Sequence, residues 1–183
     1  MREAVADRPT LVTVIGLLRQ AGSMEEPNEE ITGLSILHHG LQCAAHLHTA
    51  HPGDAELQVA GLLHDVGHVL MPGCADVHGE VGAAFVRPVF GERVAALIES
   101  HVPAKRFLVS VDGSYREQLS EGSLRTLAEQ GESMTVDELT LFRASPFFAA
   151  AVELRRADEA AKDPGARVPA LDAWLSTLEL MAG

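Results

Sequence analysis

The sequence predicts an all-α fold, a single helical bundle, on three observations. Apolar residues recur at three- and four-residue spacing nearly throughout, and alternating β-branched runs are scarce. Pro52-Gly53, Pro72-Gly73 and Pro164-Gly165 punctuate the chain at helix-length intervals. With 183 residues, 46% hydrophobic and 22% charged, the chain can bury a sizeable core.

The elements follow in order. Residues from about Pro9 to Gln20 form a helix with Leu11, Val14, Leu17 and Leu18 on one face. Residues 22–33 are polar, contain Pro27 and read as a loop. A second helix runs from about Leu34 to Ala50. Asp54 then caps a third that continues to about Val69. After Met71-Pro72-Gly73, helices are expected over Val77–Val89 and Glu92–Val102, with Pro103 kinking the chain or opening the next segment. Asp112-Gly113 marks a turn, and Ser120 or Ser123 caps a helix ending near Gly131. Thr135–Ala144 and Pro146–Lys162 are two more helices, the second with proline at its first position. A last helix, Pro169–Met181, buries Leu171, Trp174, Leu175 and Leu178. No repeat or interdomain linker interrupts this pattern, so one domain over 1–183 is expected, its metal-site core at about 34–162.

Composition excludes several classes of partner. Acids outnumber bases 26 to 14, a net charge of −12, which would repel a nucleic-acid backbone or an anionic membrane. A small anion remains admissible where a few basic residues line a pocket. Cys43 and Cys74 form no CxxC pair and are expected as buried apolar residues of a reduced protein. No apolar run reaches transmembrane length, and residues 1–20 lack a signal-peptide layout, so a cytoplasmic location is expected.

The chemistry concentrates at Leu62-Leu63-His64-Asp65-Val66-Gly67-His68. An imidazole beside a carboxylate suits a hard or borderline metal ion, and a carboxylate can bridge two ions. Any one histidine on a half-apolar helix is more often a hydrogen-bonded core residue. Here several share that setting: His39 among Leu34, Leu37 and Leu41, His78 before Val81, Ala84 and Phe85, and His101 at the end of Val94–Ile98. Asp158 completes the set from a late helix. Inward-facing ligands from several helices are how a bundle builds a multinuclear centre. His38, His46, His48 and His51 lack that setting and are expected at the surface or in loops. His38 adjoins His39, and only one of the two can face the metal.

The order of histidine, His-Asp and late aspartate resembles the HD-domain superfamily. The strings His39-Gly40-Leu41-Gln42-Cys43-Ala44, Ala60 to His68, His78-Gly79-Glu80-Val81-Gly82-Ala83 and Arg93 to Val109 are more specific. Together they are similar to the mixed-valence di-iron oxygenases of phosphonate catabolism, the PhnZ type. The similarity runs from about Leu37 to Lys162. It implies two irons, an Fe(II)/Fe(III) pair, held by His39, His64, Asp65, His78, His101 and Asp158, with Asp65 as the bridge. It also implies substrate contacts from His68, Lys105 and Ser123. Lys105 follows His101 by four residues, on the same face if the helix continues past Pro103. Arg155, one turn before Asp158, is a further candidate for anion binding. The chemistry implied is O2-dependent cleavage of the C–P bond of a small 1-hydroxyalkylphosphonate, giving phosphate and a carboxylic acid. The alternative is a metal-dependent HD phosphohydrolase acting on a phosphomonoester or nucleotide, which needs only His39, His64, Asp65 and Asp158. His78 and His101 argue for the second ion.

One departure stands upstream. In the resembling enzymes a tyrosine and a glutamate just before the first histidine close over the site, and the glutamate helps hold a substrate amine. This chain has Met24 to Gly33 there, with no tyrosine before Tyr115, and Glu29 or Glu30 as candidates for one of those roles.

Overall fold

Each helix starts where the sequence supplies a cap. The computed structural model describes residues 8–26, 33–73 and 75–183, so Cys74, Glu29 and Glu30 lie outside the described residues. Thr10 caps α1 (Leu11–Ala21) in a capping box with Thr13, Ser35 caps α2 (Ile36–Ala50), and Asp54 caps α3 (Ala55–Leu63). Asp54 also pairs with Arg93 at 2.6 Å, tying the start of α3 to a later helix.

The expected helix from Asp54 to Val69 is two helices. α3 stops at Leu63, and α4 (Val66–Leu70) begins after Asp65, whose φ of −103° and ψ of 9° leave the helical path. In an unbroken helix, consecutive side chains point about 100° apart. The break lets His64 and Asp65 face the same point.

After Met71 the expected break between Val89 and Glu92 is present as a kink at Gly91, but the helix expected to end near Val102 continues. α5 runs His78–Val111, turning at Gly91 (φ 80°) and passing through Pro103 without ending. His101 and Lys105 therefore sit one turn apart on one helix, and both are buried. After the short α6 (Tyr115–Gln118), Ser120 rather than Ser123 caps α7 (Glu121–Glu129), accepting from the Ser123 backbone N–H at 3.1 Å. Ser123 keeps its hydroxyl for other work.

Thr135 caps α8 (Val136–Ala144) in a second capping box. α9 (Phe148–Ala160) starts later than expected. Pro146 lies in the preceding turn and Phe147 is the N-cap, so the proline is not the first helical residue. A single 3-10 turn (Leu171–Trp174) leads into α10 (Leu175–Met181), burying Leu171, Trp174 and Leu178 and leaving Leu175 half-buried. Among the described residues no strand forms, only an isolated antiparallel bridge between Glu25 and Ser35.

The central layer is α2, α3, α5 and α9, with Leu47, Leu57, Leu63, Leu97, Ile98 and Leu154 fully buried between them. Two glycines permit the close approaches. A Cβ at Gly40 would lie 2.5 Å from the Leu62 carbonyl oxygen, and one at Gly67 only 1.9 Å from that of His78. Gly40 brings α2 against α3, and Gly67 brings α4 against the first turn of α5. No helix of the described residues is long and apolar enough to cross a membrane.

Candidate metal centre

The fold brings His39 (α2), His64 and Asp65 (the α3–α4 break), His78 and His101 (α5) and Asp158 (α9) to one place, each buried. Asp65 stands in the middle. One of its oxygens, Oδ2, lies 3.4 Å from His39 Nε2 and 3.3 Å from His64 Nε2. The other, Oδ1, lies 3.3 Å from His78 Nε2 and 3.8 Å from His101 Nε2. Asp158 Oδ1 joins the first pair, 3.2 Å from His39 and 3.6 Å from His64.

Backbone carbonyls fix how each ring is presented. His64 Nδ1 meets the Gly61 carbonyl at 2.8 Å, His78 that of Ala75 at 2.7 Å, and His101 that of Ile98 at 2.5 Å. His39 Nδ1 reaches across to Ala161 at 2.8 Å. A carbonyl only accepts, so each Nδ1 carries the hydrogen and, in the neutral ring that binds a metal, each Nε2 turns a lone pair inward. His39 and His64 then oppose Nε2 atoms at 3.2 Å, and His78 and His101 at 2.8 Å. Facing lone pairs beside buried carboxylates make a donor set that fits cations, with nitrogen and oxygen donors suited to non-haem iron.

The electrostatics point the same way. Burial works against charge on Asp65, but His64, His39 and His78 outweigh it and hold its pKa well below the usual carboxylate range. Asp158 is likewise held low against its burial, by Arg155, His39 and His64. His39 is raised despite burial because Asp158 and Asp65 bond to it, whereas burial beside His78 and His64 lowers His101. The site attracts positive charge around Asp65 and Asp158.

His68 lies beside the centre, against His78. The pocket wall does not include it; its ring stacks on His78 at 4.1 Å with a donor atom within 4.8 Å of Asp65 and His78. Burial, against the opposing pull of Asp65, brings its pKa down to about 4. His38 turns away from the centre, its Nε2 3.1 Å from the Ala166 carbonyl.

A narrow pocket opens from the metal site onto a cationic wall. Lys105 Nζ donates to Thr126 Oγ1 at 2.9 Å, and burial brings its pKa down to about 7. Ser123 and Lys162 complete that wall, with Lys162 Nζ 2.8 Å from Ser123 Oγ. Arg155 also lines the pocket but is already committed. It donates to Tyr115 Oη at 2.9 Å, to Ser123 Oγ at 3.2 Å, and to Asp158 and Glu159. Its first task is to hold the metal-facing Asp158.

Five residues lining the pocket were missed in the sequence, Lys162, Gln130, Glu26, Thr126 and Val102. Lys162 lies four residues after Asp158, the spacing that linked Lys105 to His101, so a signal was present. Gln130 carried none; its Nε2 donates to the Ala75 carbonyl that also receives His78 Nδ1. Glu26 is the carboxylate that the upstream segment delivers. It is buried, lines the pocket, and places an oxygen within 4.8 Å of donor atoms of His39 and Asp65. Its backbone is pinned by Glu26 N–H to the Leu34 carbonyl at 2.8 Å and by Ile36 N–H to that of Met24 at 3.0 Å.

The family model of the HD domain matches residues 34–144, the stretch that supplies five of the six converging residues. The chain belongs to the HD-domain family. Among curated relatives, hydroxymethylphosphonate dioxygenase of Gimesia maris is 41% identical over 181 residues, covering 92% of this chain and 86% of that protein. The glycine-betaine-forming [1-hydroxy-2-(trimethylamino)ethyl]phosphonate dioxygenase of Leisingera caerulea is 30% identical, covering 92% and 87%. An uncharacterized protein, L432, of Acanthamoeba polyphaga mimivirus is 30% identical, covering 82% and 71%. Within the HD-domain family, this chain is related to the phosphonate dioxygenases.

Proposed function

We propose that this HD-domain protein is a di-iron, O2-dependent oxygenase cleaving the C–P bond of a small 1-hydroxyalkylphosphonate, with hydroxymethylphosphonate as the leading substrate. The products would be phosphate and a carboxylic acid, formate in that case. The single observation that carries the reading is Asp65, which turns one oxygen to each of two histidine pairs beside a buried cationic wall. A one-ion hydrolase has no use for the second pair.

His39, His64, Asp158 and Asp65 Oδ2 would hold one iron, and His78, His101 and Asp65 Oδ1 the other, as a mixed-valence Fe(II)/Fe(III) pair. Bound there, the pair supplies Lewis acidity toward the substrate hydroxyl and phosphonate oxygens, together with the electrons that activate dioxygen. The protein's own part is binding and orientation. Lys105, Lys162 and Ser123 neutralise and hydrogen-bond the phosphonate oxygens not turned toward the metal end. Arg155 fixes Asp158, and the neutral His68 ring backs His78, leaving the pocket wall to other residues. The burial of the whole set keeps bulk water from the reacting carbon.

Pocket chemistry supports the smaller substrate. Apart from the three histidine rings at the metal end, no aromatic side chain lines the pocket among the described residues. A trimethylammonium group would therefore find no aromatic cage. The whole reaction is assigned to one domain.

The test is the iron-loaded protein with O2 and a panel of 1-hydroxyalkylphosphonates, following oxygen consumption and phosphate release. A coupled Fe(II)/Fe(III) EPR signal with equal oxygen uptake and phosphate yield is expected. Two bound irons with no oxygen uptake on the panel, or phosphomonoester hydrolysis with manganese alone, would overturn the reading.

A further inference from the structure

The cationic wall of the pocket contains its own competitor. Glu159, next to Asp158 on α9, does not line the pocket, yet its carboxylate engages the groups that a phosphonate would need. Glu159 Oε2 accepts from Ser123 Oγ at 3.0 Å, and both oxygens lie 3.2 Å from Lys162 Nζ. Oε1 accepts from the Ser120 backbone N–H at 3.0 Å, and Arg155 donates to Oε2. Ser123 has one hydroxyl hydrogen, and it points to Glu159. Lys162 divides its donors among Glu159, Ser120 and Ser123.

A phosphonate oxygen that takes the Ser123 hydrogen and a Lys162 donor must take them from Glu159. We infer that Glu159 is a positioning residue that competes with the bound anion for Ser123 and Lys162, and so sets how readily phosphate leaves. The inference rests on the phosphonate-oxygenase reading.

The physical need for such a residue is clear from the charges. Lys105, Arg155 and Lys162 surround a small buried space, and bound cations would add to them. Phosphate, the expected product, carries three oxygens like those of the substrate head group and one more, at the same charge. Unopposed, that wall would hold product as tightly as substrate. A carboxylate fixed behind Ser123 reclaims the hydroxyl and part of the lysine when the anion departs. It also gives both side chains a defined position beforehand.

The experiment is anaerobic calorimetry on the iron-loaded protein, titrating inorganic phosphate and hydroxymethylphosphonate separately into wild type and Glu159→Gln. Losing one charge near the anion should tighten both ligands about five- to tenfold. In turnover, the variant should show stronger product inhibition by phosphate and a lower kcat, with KM falling as well. Weaker binding of both anions would show Glu159 to be only a scaffold, and unchanged binding would show no coupling; either result overturns the inference.

Glu159→Asp covers a Gln variant that fails to fold. It keeps the charge but withdraws it from Ser123, so phosphate should tighten by a smaller factor. No tightening in that variant also overturns the inference. Wild type that binds neither anion, with iron in place, would instead overturn the parent reading.

Discussion

The two ends of the pocket are built by different means. At the metal end, every one of the four converging histidines is anchored through Nδ1 to a backbone carbonyl, three of them to the residue three positions earlier. At the anion end, Ser123, Lys162, Arg155 and Glu159 hold one another through side-chain bonds between α7 and the C-terminal end of α9, while Lys105 of α5 bonds Thr126 of α7. Backbone anchoring fixes direction independently of neighbouring side chains. A side-chain network shares its donors, so each member's geometry depends on the rest. The metal end should fail one ligand at a time with loss of metal. The anion end should fail as a unit with loss of affinity.

The largest effect is expected at Asp65, which stands between the two histidine pairs. Asp65→Ala removes both inward oxygens and leaves His78 and His101 without a carboxylate partner. Metal analysis should give fewer than one iron per chain, and oxygen uptake with phosphonate should vanish. Retention of two irons would mean that Asp65 does not bridge.

Gly67 breaks the same end through packing. Its absent Cβ would stand 1.9 Å from a backbone oxygen, which cannot step aside as a flexible side chain would. Gly67→Ala should cost about 3 kcal/mol of stability by forcing α4 away from His78. Thermal denaturation checks the first part. Iron content should fall by more than it does for an equally destabilising core change such as Leu178→Ala, which lies away from the metal site.

These two positions also show what was legible in the sequence. The six converging residues were readable because His and Asp in apolar settings are donors a metal site can use, a local signal carried by residue type and spacing. His64 and Asp65 were readable as a pair, but the chain break that lets both face one point was not. Nothing in Leu63-His64-Asp65-Val66 disfavours a helix; the site geometry overrides propensity there. Pro103 misled in the other direction, since tertiary packing carries α5 through it. The anion wall was half visible. Lys105 and Ser123 came with the resemblance, while Lys162 and Glu159 look like surface charges until α7 folds over them. Glu26 arrives by way of the short bridge between Glu25 and Ser35, a long-range pairing with no periodic signature.

Arg155 joins the two ends, since it holds Asp158 on one side and Ser123 with Glu159 on the other. Arg155→Met keeps the bulk and removes the charge. Loss of a group that orients a metal ligand typically weakens metal binding about 10- to 100-fold. The same variant should weaken phosphate binding in protein reloaded with iron. A variant that alters only one of these properties would show that the ends are independent.

The smallest effect separates them by pH. Burial brings Lys105 to a pKa of about 7, so near neutrality the empty pocket is protonated there only in part. A phosphonate dianion stabilises the protonated lysine, and binding therefore takes up a proton. The lysine's contribution to affinity should be fully present below pH 7 and fall as the pH rises above it, by at most about tenfold per pH unit. The phosphonate's own second ionisation works in the opposite direction and is complete by about pH 8, so the fall is read between pH 8 and 9. Lys105→Arg holds its charge throughout that range and should flatten the profile, with iron content unchanged because no metal-facing residue bonds to Lys105. A fall that persists in the arginine variant would place the titrating group at the metal end and remove Lys105 from the anion site.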